Sequence, residues 1–319
     1  MDAKMKIIDM HCDTLMESWK HPENSFYDGP TYVNLKNMKE TGSLAQCFAM
    51  YLPWKNSEKS AYEILNEMYA NYKVKMEENK ELIRPAYSAK DILKNAEKGF
   101  LSSFLTIEDA AFMDGKAERL GEAFDMGVRM IGLIWNYENC IGYPNSSDEK
   151  EHMRGLKPFG IETIEHMDEF GIIIDCSHLN EGGFYDVARH TKNPFVCSHS
   201  CARELCDHRR NLTDDQLKTI GNKGGIVGVN FYGHFLNNDG ASPTAKRIAE
   251  HLVYMKDKAG IDAIGFGSDL DGIDDNGEIV NYSGFRLLLD EMSKHFTDDE
   301  IDKISHLNAL RVIREVTGA

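Results

Sequence analysis

The chain has no run approaching the roughly 18 consecutive apolar residues of a membrane span. Its opening, Met1 to Lys6, leads into a strand-like segment without the apolar core of a signal peptide. A cytoplasmic protein with no membrane partner is the expectation. Proline is scarce, at 8 of 319 residues, and no low-complexity tract, short-period repeat or interdomain linker is visible, which excludes disordered, collagen-like and solenoid architectures. The 7 cysteines are odd in number, scattered, and never spaced as Cys-x-x-Cys, so neither a disulfide framework nor a thiolate zinc site is indicated. Basic residues are in deficit as well: 36 Lys and Arg against 52 Asp and Glu give a net charge of -16, which repels phosphate backbones and makes nucleic acid an unexpected partner.

What is present is a repeating pattern. Short apolar, β-rich runs recur, each followed by a longer amphipathic stretch, as βα units around a parallel sheet require. Eight such runs stand in order: Met5 to Met10, Leu44 to Leu52, Phe100 to Ile107, Val128 to Trp135, Gly171 to Cys176, Pro194 to Ser198, Gly225 to Phe231 and Ala263 to Gly267. Glycines at 99, 127, 171, 224 and 260 close the preceding helices, and Thr213 to Gln216 and Thr297 to Glu300 read as capping boxes. Pro243 after Ser242 reads as a first helical position. Eight units in this length favour an α/β fold of the (β/α)8 TIM-barrel type, one domain spanning residues 1–319 with loop insertions, over an open doubly wound sheet. The loops Tyr137 to Gly155 and His21 to Val33 are the candidate walls of a site.

In such a barrel, chemistry sits at the C-terminal ends of the strands. The first strand ends in His11-Cys-Asp13, the third in Glu108-Asp109, the fifth in Asp175-Cys-Ser-His178, the sixth in Ser198-His199, and the eighth in Ser268-Asp269-Leu-Asp271. His11 and Asp13 share a face at i and i+2. Imidazoles and carboxylates converging without thiolates suit zinc, with manganese or cobalt as substitutes. The five candidates His11, Asp13, Glu108, His178 and His199 exceed the usual three protein ligands of one catalytic zinc, so two ions with Glu108 bridging are expected. Water held between two ions becomes hydroxide near neutral pH, and hydrolysis is the implied reaction. Asp269 is placed to move a proton, although Asp269 and Asp271 also suit a turn. Arg209 and Arg210 read equally well as a surface pair or as the source of one guanidinium reaching over the mouth to hold a substrate carboxylate. His166, His190, His251 and His295 read as surface residues, and His208 and His234 stay open.

Taken together, these segments resemble the membrane dipeptidase family, the renal dipeptidases of the amidohydrolase superfamily. The resemblance covers almost the whole chain and rests on Asp9-Met-His11-Cys-Asp13, Gly155-Leu-Lys-Pro-Phe-Gly160, Gly171-Ile-Ile-Ile-Asp175-Cys-Ser-His178, Ser198-His199-Ser200, Arg209-Arg210-Asn211, Gly265-Phe-Gly-Ser-Asp269-Leu-Asp-Gly272 and Asn308-Ala-Leu-Arg-Val312. It implies a zinc-dependent dipeptidase acting on small dipeptides, tolerant of a D-residue at the C-terminal position, through a metal-bridging hydroxide. One zinc would be held by His11, Asp13 and Glu108 and the other by Glu108, His178 and His199. Asp269 would be the proton shuttle and Arg210 the carboxylate clamp; the expected partner is a small dipeptide, and a homodimer is compatible with the sequence.

The chain departs from the family at three points. Where mammalian members carry a carbonyl-polarising histidine, this chain has Trp135, followed by Asn136, and both are read as substrate-binding. The polarising role is left unassigned, with His152 in the adjacent loop as the nearest histidine and Trp135 shaping the pocket. The glycines that usually follow the bridging glutamate are Asp109 and Ala110, and no membrane anchor is visible. Rival readings are another amidohydrolase activity, a deaminase or phosphoester hydrolase, or a non-catalytic metal-binding barrel. The first strand's His-x-Asp and the absence of lysine from Val128 to Asn136 weigh against the former, and the full ligand set against the latter.

Overall fold

Residues 6–318 are described by a computed structural model. Met5, where the first sequence-read strand begins, lies outside them. Nine parallel strands run in chain order as β1 Ile7–Cys12, β2 Ser43–Tyr51, β3 Ile83–Pro85, β4 Leu101–Glu108, β5 Met130–Gly132, β6 Ile173–Asp175, β7 Val196–Ser200, β8 Ile226–Val229 and β9 Ile264–Phe266. Going round, β1 pairs with β2, β2 with β4, and each strand from β4 to β8 with the next, while β9 returns to β1, which closes an eight-stranded barrel. The eight apolar runs are its eight strands. The ninth, β3, escaped notice because three residues ending in proline give too short a pattern; it pairs only with Leu101 to Ser103 at the start of β4.

Two apolar layers hold the barrel. Ile8, Met10, Ala45, Cys47, Phe104, Met130, Ile173, Val196 and Ile226 form the inner cluster, which Leu310, Ile313 and Val316 of the C-terminal helix Asn308–Thr317 join. The helix therefore stoppers the N-terminal end, and only the opposite mouth is left for chemistry. A larger cluster joins the outer strand faces to the surrounding helices. Gly171 shows how the connections are made: it ends the helix Pro158–Phe170 at φ +69°, where a Cβ would press on the Val316 carbonyl. Both expected capping boxes are formed. Pro243, by contrast, precedes the N-cap Thr244 of the helix Ala245–Ala259 rather than starting it, because the Thr244 side chain accepts from the Arg247 amide and claims the cap.

Strict alternation would send Cys12 and not His11 inward after Ile8 and Met10. The pairing register of β1 shifts between Asp9 and Cys12, and Cys12 joins the outer layer. β7 shifts in the same way between Cys197 and Ser200. Such irregularities re-aim side chains beside functional sites, and here each one turns a histidine into the mouth.

The loop His21 to Val33 does not line the main cavity; its residues border a separate surface pocket. It is anchored from below by the buried Lys75, whose Nζ donates to the carbonyls of Pro22 (2.6 Å) and Asn24 (2.9 Å). It is anchored from above by Asp271, which accepts from Thr14 Oγ1 (2.6 Å) and the Tyr32 amide (2.7 Å). Lys75→Met keeps the aliphatic stem but strands both carbonyls, so stability in urea should fall by about 1–3 kcal/mol. An unchanged unfolding midpoint would remove Lys75 as an anchor. Among the described residues, no helix is long and apolar enough to cross a membrane.

Candidate metal centre and its pocket

The cross-strand register sets Tyr51, Glu108, Gly132 and Asp175 at one level, at the C-terminal ends of β2, β4, β5 and β6. At and just above this level the structure brings together the five residues read from the sequence as candidate ligands. Glu108 Oε1 lies 2.8 Å from His178 Nε2 and 3.6 Å from His199 Nε2, whereas its Oε2 lies 3.6 Å from His11 Nε2. The two oxygens of one carboxylate thus face two different groups. On the second side, His11 Nε2 is also 3.5 Å from Asp13 Oδ2 and 3.8 Å from Asp269 Oδ1. Ligand atoms of Glu108, His178 and His199 form one compact set, and those of His11, Asp13 and Asp269 another; Asp175 also falls within reach of His11 and His199.

Hydrogen bonds at the far side of each ring determine what its near side offers. Ser198 Oγ donates to Asp175 Oδ2 at 2.5 Å, so it accepts from His199 Nδ1 (2.9 Å), which leaves His199 Nε2 bare. His178 Nδ1 meets Asn136 Oδ1 at 3.2 Å, which bares its Nε2 in the same way. Burial first, and then Arg210 and His11, push both rings well below the usual histidine range, so both are neutral. Two lone pairs 3.0 Å apart, with a carboxylate oxygen beside them, repel one another unless a cation lies between.

The His11 side gives the same answer. Burial alone would lower its pKa, yet Glu108, Asp13 and Asp269 raise it to about 10, the mark of surroundings built for positive charge. His11 Nε2 and Asp13 Oδ1 are buried with no hydrogen-bond partner among the described residues. Gly272 packs its α-carbon against the Asp13 and Asp269 carboxylates, where any Cβ would intrude. The donor set and its orphaned atoms fit metal ions.

The remaining sequence-read residues fall into distinct places. Arg210 is 5% exposed, and its Nε and both Nη atoms are buried without a hydrogen-bond partner among the described residues, whereas Arg209 is exposed. Arg210 borders the cavity over the Phe235 ring, 5.3 Å from its centroid. His208 stacks on the same ring and accepts from the Arg210 amide, so it shapes this loop. Asp269, at φ +62°, receives the Asn230 side-chain amide on Oδ2 (2.8 Å), and burial pushes it up to about 6. Trp135 and Asn136 both line the cavity, Asn136 while also orienting His178. His152 does not line it; it faces Glu181 at 3.5 Å. His251, expected at the surface, is fully buried between the Ala202 amide and the Leu236 carbonyl, because its position on the Ala245–Ala259 helix faces the barrel.

The cavity measures about 350 Å³ and is also lined by Met16, Tyr51, Tyr232 and Phe235, which sequence reasoning missed. Tyr51 ends β2, so a reading of that strand's end would have found it. Tyr232 and Phe235 lie beyond β8, at the N-cap of and within the short helix Gly233–Leu236, which has no motif of its own. Asp9 and Asp175 stood in the quoted motifs without a role. Each is a buried carboxylate tying a neighbouring strand to the site: Asp9 accepts from the Ser268 amide (2.8 Å) and hydroxyl (2.6 Å), and Asp175 from the hydroxyls of Ser177 (2.6 Å) and Ser198.

Residues 1–319 match the model of the membrane dipeptidase family, peptidase family M19. An uncharacterized protein of Klebsiella pneumoniae, from the pqqA 5' region, is 36% identical over 244 residues, 73% of this chain and 89% of that protein. Among solved structures, the dipeptidase AC, a metallopeptidase of family M19, superposes with a TM-score of 0.91 at 26% identity, covering 99% of this chain and 100% of that one. A Rhodobacter sphaeroides metallopeptidase, liganded with a phosphinate mimic of the dipeptide L-Ala-D-Ala, superposes at 0.90, also at 26% identity, over 98% and 99% of the two chains. With a metal-binding constellation at the mouth of a closed barrel and these matches along its length, the chain belongs to the membrane dipeptidase family and is a metallo-dipeptidase, a hydrolase of peptide bonds.

Proposed function

We propose that the enzyme uses two zinc ions to hydrolyse small dipeptides with a free carboxylate, and that it accepts a D-residue at the carboxy-terminal position. The observation that carries this reading is the conjunction of Glu108, whose two oxygens face separate candidate ligand groups, with Arg210, a buried cation whose guanidinium has no hydrogen-bond partner among the described residues. His11, Asp13 and Glu108 would hold one ion, and Glu108, His178 and His199 the other. When bound, the ions supply an acidified water nucleophile and polarisation of the scissile carbonyl. Manganese and cobalt suit the same nitrogen and oxygen donors.

The chain's own residues do the rest. Arg210 binds the dipeptide carboxylate through a charge-assisted, bidentate contact, and Phe235 beneath it limits the guanidinium's hydration. That contact fixes the scissile carbonyl over the ligand groups. Asp269 accepts the proton of the attacking water at Oδ1 and returns it to the nitrogen of the leaving amine as the C–N bond breaks. Asn230 holds the other carboxylate oxygen, so one lone-pair face stays free for the transfer. Tolerance of a D-residue is supported by the L-Ala-D-Ala mimic in the Rhodobacter structure.

Arg210→Ala should raise KM about tenfold to hundredfold for dipeptides, the span of a lost hydrogen bond to a charged group, and leave C-terminally amidated analogues nearly unaffected. Equal losses on both substrate series, measured by initial rates, would reassign Arg210 to structure.

A further inference from the structure

The half of the mouth opposite Arg210 is built differently. Trp135, just beyond β5, packs on Tyr51 at the end of β2, with ring centroids 4.7 Å apart, and on Tyr137 at 5.6 Å. Trp54 meets Tyr137 edge-on at 6.3 Å. This stack is braced from behind: the Trp54 indole N–H donates to Asp109 Oδ2 (2.8 Å), and the Asn139 side-chain amide donates to Asp109 Oδ1 (2.7 Å). Asp109 therefore ties the two rim loops that carry the aromatic rings. Tyr51 and Trp135 line the cavity on this side, across from Tyr232, Phe235 and Ile273, and both rings remain partly exposed.

Ring order decides which part of the substrate meets this wall. Tyr51 and Trp135 flank Glu108 on β2, β4 and β5, whereas Arg210 and Phe235 hang from the loops after β7 and β8, across the barrel. With the carboxylate at Arg210 and the scissile carbonyl over the ligand groups, the amino-terminal residue reaches the aromatic side. We infer that the Tyr51–Trp135 wall selects a bulky apolar side chain on the amino-terminal residue of the dipeptide; this rests on the dipeptidase reading above. Partly exposed aromatic faces gain most by being covered with apolar surface. An acidic side chain is disfavoured, since Arg210 is the one cation among the lining residues described and Asp274 stands at the mouth.

The test compares kcat/KM for L-Phe-L-Ala, L-Ala-L-Ala and L-Ala-L-Phe in wild type, Trp135→Ala and Trp135→Phe, each brought to the same bound metal content. Wild type should favour Phe-Ala over Ala-Ala by about tenfold, within the range an apolar pocket achieves. Trp135→Ala should remove that ratio, Trp135→Phe should retain most of it, and the Ala-Phe to Ala-Ala ratio should not follow. Hydrolysis with a Phe-Ala preference untouched by Trp135→Ala, or a shift confined to Ala-Phe, overturns the wall while leaving the dipeptidase reading in place. Failure of metal-loaded wild type to cleave any of the three overturns that reading, and the wall with it.

Discussion

Asp269→Asn is expected to lower kcat by about 10²–10⁴-fold while bound zinc and KM stay near wild type, because general acid–base catalysis contributes on that scale. The substitution keeps the shape and the tie to Asn230 but removes the ability to accept a proton. Geometry favours this outcome over a turn role: the Asp269 amide donates to the His11 carbonyl, one carboxylate oxygen is held by Asn230, and the other is left 3.8 Å from His11 Nε2. Burial raises the carboxyl to about 6, close to the value an acid–base group needs near neutrality. Asp271 is the one that serves the turn, through its bonds to Thr14, Tyr32 and Val33. Measuring kcat, KM and zinc on one preparation separates the alternatives. Full zinc with near-normal kcat removes Asp269 from the chemistry, and zinc lost in parallel with activity makes it a ligand.

Glu108→Gln should also be costly, since on the two-ion reading proposed above it would act on both ions at once. An amide neutralises the one carboxylate whose oxygens face both groups, and it can turn an N–H toward nitrogens that need to donate lone pairs. Metal content should fall at both sites. A Lewis acid supplies several kcal/mol of transition-state stabilisation, so kcat/KM should drop by about 10³-fold or more. Retention of two tightly held ions in Glu108→Gln, by elemental analysis after dialysis, would show that the bridge lies elsewhere.

Much of this was legible in the chain because barrel strands buried on both faces leave continuous apolar runs, and because their C-terminal ends are where ligand residues must appear. His11, Asp13, Glu108, His178 and His199 are candidates by position alone, and the structure gathers them at one mouth. The means by which His11 and His199 turn inward was not legible, since the register shifts in β1 and β7 break the alternation on which any face assignment depends. The choice of Arg210 over Arg209 came only through the family resemblance, because adjacent residues of identical chemistry are told apart physically by burial alone. Tyr232, Phe235 and the braces around Asp109 join residues that are remote in sequence, and no local pattern announces them. His251 was misjudged because a helical position reads the same whether its face meets water or the barrel.

The central claim is a binuclear zinc centre that hydrolyses dipeptides. The most direct test is elemental analysis of protein purified without chelator, with L-Ala-D-Ala hydrolysis assayed on the same sample before chelation, after it, and after zinc is restored. The account predicts close to two zinc ions per chain, activity lost with them and regained as the second ion is returned. At most one tightly held ion after reconstitution, or hydrolysis that survives complete removal of metal, would contradict it.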